Sequence, residues 1–109
     1  FYNFSFSGIK TAVLRQIQKL PPDFHKADMA ASFQENVTNT LVKKLCKAAK
    51  ETNLNKLVIA GGVSANKTLR KKLLETGYEV FMPDLKYCTD NAAMIASAGY
   101  FCRDIASFQ

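Results

Sequence analysis

The fold is decided by residues 56–82, which read KLVIAGGVSANKTLRKKLLETGYEVFM. Apart from its first lysine, the segment 56–60 is aliphatic and β-branched, which is typical of a strand covered on both faces in a parallel sheet. Two glycines end this run, and leucines at helical spacing predict a helix over about residues 64–75. Residues 79–82 predict a second strand. A strand, a helix and a strand within 27 residues predict one βαβ crossover, and therefore an α/β fold.

The segment before this crossover predicts a strand and a helix. Aromatic and hydroxyl residues alternate over positions 3–7, and this period of two predicts a short strand that ends at Gly8. Apolar residues then recur at steps of three and four over residues 9–20, which predicts a helix with Ser7 as its N-cap.

Two more helices are predicted, one on each side of the crossover. The longest runs from residues 26–28 to about residue 52, with one apolar face and one lysine-rich face. An alanine-rich helix is expected over residues 91–105, and its small side chains would let it lie close to a neighbouring sheet or helix. Residues 107–109 are expected to fray.

The length of 109 residues is that of one small domain, so we expect a single α/β unit over residues 1–109. The composition, with 48% hydrophobic and 22% charged residues, excludes a disordered chain. The longest strongly apolar run, residues 57–60, is far shorter than the roughly 20 residues of a membrane span. Because the sequence opens at Phe1 without Met or a signal core, we expect a piece of a longer protein.

The net charge indicates a class of partner, and the cysteine spacing indicates a redox compartment. The 15 Lys and Arg against 9 Asp and Glu give a net charge of +6, which favours a polyanionic partner such as a nucleic acid. The three cysteines have wide, unequal spacing and form no C-x-x-C pair. They are typical of reduced thiols in a cytosolic protein, because disulfide frameworks and zinc cages need other spacings.

Gly61 and Gly62 form the most informative candidate site. They follow a buried strand at its carboxyl end and precede a helix, where α/β proteins bind ligands and free N–H groups attract phosphate. An equal alternative is that they only turn strand into helix, with Ser64 as N-cap. Asn66 lies in the first turn of that helix, so it is either a residue that starts the helix or an amide aimed at a ligand.

Asp90 is the second candidate. Thr89 or Asp90 would be a suitable N-cap for the last helix, but a carboxylate at the end of a loop can also bind a metal ion. One carboxylate does not make a metal site, and the single histidine, His25, is expected in an exposed loop far away in sequence.

Other candidate groups have simpler explanations. We expect Cys46 and Cys102 to be small buried hydrophobic residues on helices, and Cys88 has no histidine in its own segment to activate it. Two groups of basic residues are expected to form solvated faces, or to contact RNA through phosphates. They are Lys67, Arg70, Lys71 and Lys72 on one helix, and Lys43, Lys44, Lys47 and Lys50 on another.

Four motifs together carry a resemblance to a known family. They are residues 4–11 (FSFSGIKT), 30–35 (AASFQE), 59–66 (IAGGVSAN) followed by Leu69-Arg70, and 88–96 (CTDNAAMIA). In this order they resemble the carboxyl-terminal part of the tRNA threonylcarbamoyladenosine transferase family, earlier labelled glycoprotease or O-sialoglycoprotein endopeptidase.

The resemblance implies an actin-like ATPase fold, shared with Hsp70 and sugar kinases, in which two lobes enclose a cleft. It implies transfer of a threonylcarbamoyl group from its adenylate to the amino group of the adenosine beside the anticodon. By the same resemblance, Asn66 binds the adenylate, Gly61 and Gly62 belong to the nucleotide-contacting loop, and Asp90 is a ligand of a divalent metal, iron or zinc. The implied partners are tRNA and the subunits of a modification complex in the cytoplasm, and no catalytic residue is assigned.

One departure from the family limits what this chain is expected to do. The family's paired metal-binding histidines and its Ser-Gly-Gly-His phosphate loop lie in its amino-terminal portion, and no such motif occurs in this sequence. Ala92 stands where many relatives have glycine, which should leave the helix start intact. We therefore expect one side of an active site that neither transfers the group nor holds the metal by itself.

Two other functions are compatible with parts of this pattern, and a third is disfavoured. The long helix could dock onto partner subunits, which would make the chain an interaction module. A glycine loop after a strand also suits another actin-like ATPase or a sugar kinase. A metallo-glycoprotease is disfavoured, because these residues assemble neither a metal site with an activated water nor a nucleophile with its base.

Overall fold

The computed structural model describes residues 2–103, which form four helices and two strands. In chain order these are α1 (Phe6–Ile17), α2 (Lys26–Glu51), β1 (Lys56–Val58), α3 (Lys67–Leu74), β2 (Glu79–Phe81) and α4 (Ala92–Phe101). Short 3₁₀ turns at Gly62–Ala65 and Leu85–Tyr87 precede α3 and α4. The predicted α/β class is confirmed.

β1 and β2 form a parallel two-stranded sheet, with Leu57 opposite Val80. The Ile59 amide also donates to the Phe81 carbonyl at 3.1 Å, which extends the pairing beyond β1. Because α3 connects the two strands, the predicted βαβ crossover is confirmed.

The prediction that β1 is covered on both faces is wrong. Leu57 is 3% exposed, whereas its neighbour Val58 is 69% exposed. Successive side chains of a strand point to opposite faces, and the buried core within residues 2–103 contacts only the Leu57 face.

The core joins α2 and α3 to the sheet. Its buried members are Ala49 on α2, Leu57 on β1, and Leu69 and Leu73 on α3. Half-buried apolar side chains surround them: Leu41, Val42, Leu45, Ile59, Tyr78 and Val80. Leu69 and Leu73 are four residues apart and therefore lie on one face of α3, which is the face that packs against the sheet and α2.

A polar contact between α2 and α3 lies beside this core. Lys72 Nζ lies 2.8 Å from Glu35 Oε2 and donates to Thr38 Oγ1 at 2.9 Å and Asn39 Oδ1 at 2.7 Å. The hydrogen bond from Lys72, and then that from Asn39, lower the pKa of Glu35. The predicted solvated face therefore does not include Lys72, whose side chain is only 19% exposed.

The predicted strand at residues 3–7 is wrong, because α1 begins there instead. Ser5, rather than Ser7, is the N-cap, and its Oγ accepts from the Gly8 amide at 3.0 Å. A hydroxyl that satisfies an unpaired amide at this position favours helix over extended chain. The helix ends at Ile17, before the predicted position 20, and a turn continues it through Lys19 and Leu20.

Helix α4 follows the predicted start but not the predicted packing. Asn91 is its N-cap and accepts from the Met94 amide at 2.9 Å, so neither Thr89 nor Asp90 has that role. No residue of α4 is buried, and a Cβ added at Gly99 would meet nothing within 4 Å. The predicted close contact with a neighbour is therefore absent within residues 2–103. α4 ends at Phe101, before the predicted position 105. The predicted fraying falls on residues 107–109, outside the described residues.

The first and last helices make the molecule extended. The radius of gyration is 18.1 Å, whereas a compact chain of this length would have about 13 Å. α1, like α4, contains no buried residue. Across residues 2–103, no helix has both the length and the apolar character that a membrane crossing requires.

Replacing Leu73 by Ala should lower the free energy of unfolding by about 2–5 kcal/mol, because its side chain is fully buried and would leave a cavity. Chemical denaturation of the chain measures this. Leu74→Ala is the matched control, since Leu74 is 63% exposed, and should change stability by less than about 0.5 kcal/mol. Equal losses of unfolding free energy in both variants would contradict the burial of Leu73 in the core.

Glu35→Gln should make stability depend less on pH. The folded-state pKa of Glu35 is lowered, so its ion pair with Lys72 stabilises the fold above the ordinary glutamate range. That contribution disappears as the pH falls through the lowered pKa. Thermal unfolding of both proteins should therefore differ at neutral pH and converge in acid. Glu75→Gln, at an exposed residue just after α3, is the control, and a difference that persists in acid would refute the assignment.

Candidate functional site

The first wall of the candidate site follows the first strand and consists of the diglycine corner, Gly61 and Gly62, with the 3₁₀ turn Gly62–Ala65. Gly61 has a φ of +84°, a conformation that residues with side chains rarely adopt. Ser64 closes the turn, because its amide and its Oγ donate to the Gly61 carbonyl at 3.0 and 2.6 Å. Ser64 is therefore not the N-cap of α3. The 3₁₀ turn comes between, and the α-helix starts after Asn66.

The second wall is the loop of residues 83–91, called here the Asp90 loop. Backbone hydrogen bonds from Tyr87 to Asp84 and from Cys88 to Leu85 close its 3₁₀ turn. The loop lies against the diglycine corner, since a Cβ added at Gly62 would be 4.0 Å from Thr89 Cγ2.

The two walls border one open cavity of about 500 Å³. Gly61, Gly62 and Asp90 all line it, so the structure brings together three of the four residues that the sequence singled out. The remaining lining comes from the ends of both strands, the loop and the start of α4: Ala60, Pro83, Tyr87, Cys88, Thr89 and Met94. This position, outside the carboxyl ends of parallel strands, is where ligands bind in open α/β sheets.

Asn66 has a different position and does not line this cavity. Its Oδ1 accepts from the Leu69 amide at 2.9 Å, which makes Asn66 the N-cap of α3. Its Nδ2 donates to Gln34 Oε1 on α2 at 3.1 Å. The structure therefore supports its interpretation as a helix-start residue. A second Nδ2 hydrogen is left for other acceptors, and the nucleotide contact implied by the resemblance stays a prediction.

Arg70 connects the two walls. Its Nε donates to the Ser64 carbonyl at 2.6 Å, and its Nη2 donates to the Pro83 carbonyl at 2.6 Å and contacts Cys88 Sγ at 3.3 Å. The prediction that Arg70 lies on a solvated basic face is therefore wrong. The one signal that could have identified it is its place in the motif, six residues after Ser64 and one helical turn after Asn66.

The cysteines and the histidine lie in different environments. All three cysteines are free. Cys88 is buried beside Arg70, and burial raises the pKa of the half-buried Cys46 thiol. Cys102 is exposed, so its predicted burial is wrong. His25 is exposed as predicted, and its Nδ1 lies 3.1 Å from Asp28 Oδ2.

No cluster of three His, Cys, Asp or Glu side chains with metal-binding geometry occurs over residues 2–103. Asp90 is exposed at the cavity, and its carboxylate could serve as a single ligand for a divalent cation.

Two substitutions at Asn66 separate capping from the contact with Gln34. Asn66→Ala removes both and should lower the free energy of unfolding by about 1 kcal/mol. Asn66→Asp keeps an oxygen for the Leu69 amide and places a negative charge at the helix N-terminus, so its stability should stay within about 0.5 kcal/mol of the parent chain. Chemical denaturation measures both, with Lys67→Ala, at the exposed neighbouring residue, as control. Equal stability of the parent chain and Asn66→Ala would contradict the capping role.

The chain is similar to known proteins. The model of the tRNA N6-adenosine threonylcarbamoyltransferase family matches residues 2–97. A protein of that name from Thermosipho africanus is 56% identical over 104 residues, which cover 91% of this chain and 32% of that protein. The Caldicellulosiruptor saccharolyticus protein of the same name is 52% identical over 107 residues, which cover 92% of this chain and 32% of the relative.

The chain thus spans about a third of the length of the curated relatives it matches. The match runs through all four motifs and confirms the resemblance drawn from them. The chain belongs to the tRNA N6-adenosine threonylcarbamoyltransferase family.

Proposed function

We propose that this chain forms one side of the active site of a tRNA-modifying acyltransferase. The reaction moves a threonylcarbamoyl group from threonylcarbamoyl adenylate to the amino group of the adenosine next to the anticodon. The observation that carries the proposal is the cavity shared by Gly61, Gly62 and Asp90 in a chain that matches this family over residues 2–97.

The diglycine corner suits the nucleotide part of the substrate. Gly61 and Gly62 are exposed and have no side chains, so a ligand can approach their backbone closely. The cavity volume of about 500 Å³ lies within the range of small-molecule sites. We propose that Gly61 and Gly62 contact the adenylate and that the free Nδ2 hydrogen of Asn66 provides a further contact at the edge of the site.

Asp90 suits the divalent metal, iron or zinc. Its carboxylate borders the same cavity, so a metal bound there would lie beside the substrate and could polarise the carbonyl that is transferred. One carboxylate does not hold such an ion by itself. We propose that the other ligands come from the part of the family's length that this chain does not match.

The parallel βαβ unit is compatible with an actin-like fold. In that fold, the residues that line the cavity would form one side of the cleft between two lobes. The net charge of +6 favours tRNA through its phosphates. Lys43, Lys47 and Lys50 are exposed on α2 and would contribute to such contacts, or to contacts with partner subunits of a modification complex in the cytoplasm.

A chimaera tests the proposal. In it, this chain replaces the matching third of the Thermosipho africanus transferase. We expect transfer of labelled threonylcarbamoyl to tRNA by the chimaera and none by the 109-residue chain alone. Asp90→Asn in the chimaera should lower the transfer rate about 100-fold and weaken Zn²⁺ binding.

The control is Asp84→Asn, which removes another exposed carboxylate of the same loop and should leave the rate unchanged. Thermal unfolding verifies that each variant is folded. A folded chimaera without activity, or full activity after Asp90→Asn, would overturn the proposal.

A further inference from the structure

We propose that Arg70 is a positioning residue that holds the diglycine corner and the Asp90 loop at the separation that forms the cavity. Its guanidinium reaches both walls at once: the Ser64 carbonyl on one side, and the Pro83 carbonyl and Cys88 Sγ on the other. The effect expected on catalysis rests on the proposed function, whereas the effect on loop geometry does not.

The hydrogen bonds of Arg70 to the two carbonyls are short and come from a charged donor. Both carbonyl hydrogen bonds measure 2.6 Å, and hydrogen bonds from a charged donor are about twice as strong as neutral ones. The Arg70 side chain is half-buried and Cys88 is buried, so water competes less for these acceptors than at an open surface.

The base of Arg70 is fixed by the core. Leu69 and Leu73, on the same helix, are 5% and 0% exposed. The Asn66 cap holds the first turn of α3. Because these contacts hold the helix against the sheet, the Arg70 guanidinium has a fixed position, and its hydrogen bonds hold both loops relative to it.

The Asp90 loop depends on this support. The other hydrogen bonds that residues 83–91 make within the described part of the chain are local to the loop and its junction with α4. Examples are Cys88 Sγ to the Asp84 carbonyl at 3.5 Å and Asn91 Nδ2 to the Thr89 carbonyl at 3.0 Å. Such bonds fix the internal shape of the loop but not its distance from Gly61.

Lysine should not replace arginine at this position. A guanidinium presents several donors in one rigid plane, whereas an ammonium is a single point on a flexible stem. Arg70 uses Nε for one wall and Nη2 for the other, and a lysine Nζ cannot occupy both positions at once.

Amide hydrogen exchange on the 109-residue chain tests the loop geometry without reference to any reaction. The probes are the amides that close the two 3₁₀ turns: those of Ser64 and Asn66 in the turn after Gly61, and those of Tyr87 and Cys88 in the Asp90 loop. Arg70→Met should accelerate exchange at these amides about tenfold, with less than about a twofold change at Leu57 and Leu73 in the core. Lys71→Met, at the exposed neighbouring residue, is the control and should change none of them.

Unchanged exchange in both turns would overturn the proposal. Equal acceleration in the turns and the core would also overturn it, because Arg70 would then stabilise the whole fold rather than the two walls.

Activity of the chimaera provides a second readout. Arg70→Lys should lower kcat for transfer at least about tenfold while KM for tRNA changes less than about twofold, because the reacting groups are misplaced but the tRNA contacts remain. A change in KM alone, or no change at all, would contradict the positioning role. An inactive parent chimaera would refute the proposed function, whereas the exchange measurement would still decide the role of Arg70.

Discussion

Burial of the α3 leucines against the parallel strands is the constraint on which the rest of this structure depends. Leu73 is fully buried, and with Leu69, Leu57 and Ala49 it forms the core that joins α2, α3 and the sheet. This packing sets the position of α3 against the sheet. The 3₁₀ turn and the Asn66 cap then connect the end of β1 to the start of that helix. The position of the diglycine corner follows from the core.

Two basic residues of α3 make polar contacts on different sides of the helix. Lys72, on the α2 side of α3, joins Glu35, Thr38 and Asn39. Arg70, two residues earlier, points to the other side and joins the two loops that follow the strands. Lys72 therefore joins α3 to α2, and Arg70 joins the two loops that border the cavity. Neither residue belongs to a solvated basic face.

In the proposed enzyme, this site is one wall of a larger active site. The chain spans about a third of its relatives' length, and Asp90 is a single carboxylate in the cavity wall. Helix α4, which directly follows the Asp90 loop, carries exposed apolar residues, among them Ile95 at 66% and Phe101 at 78% exposure. In the proposed enzyme, the groups that complete the metal site and the cleft approach the cavity from outside these residues.

Local patterns determined much of the fold. The helical spacing of α2 and α3, the βαβ order and the break between strand and helix at Gly61 and Gly62 follow from sequence, because each depends on neighbours along the chain. Where two local signals competed, the prediction failed. The alternation at residues 3–7 indicated a strand, but the Ser5 hydroxyl capped a helix, and no partner strand within residues 2–103 pairs with that segment.

The sequence by itself determined the βαβ order, the family and the identity of Gly61, Gly62 and Asp90 as candidates. Only the tertiary structure decided that these three line one cavity, that Asn66 caps α3 instead of lining it, and that Arg70 bridges the walls. The physical reason is distance along the chain. Arg70 meets Pro83 and Cys88 across 13 and 18 residues, and such contacts exist only after the strands pair and the leucines of α3 are buried.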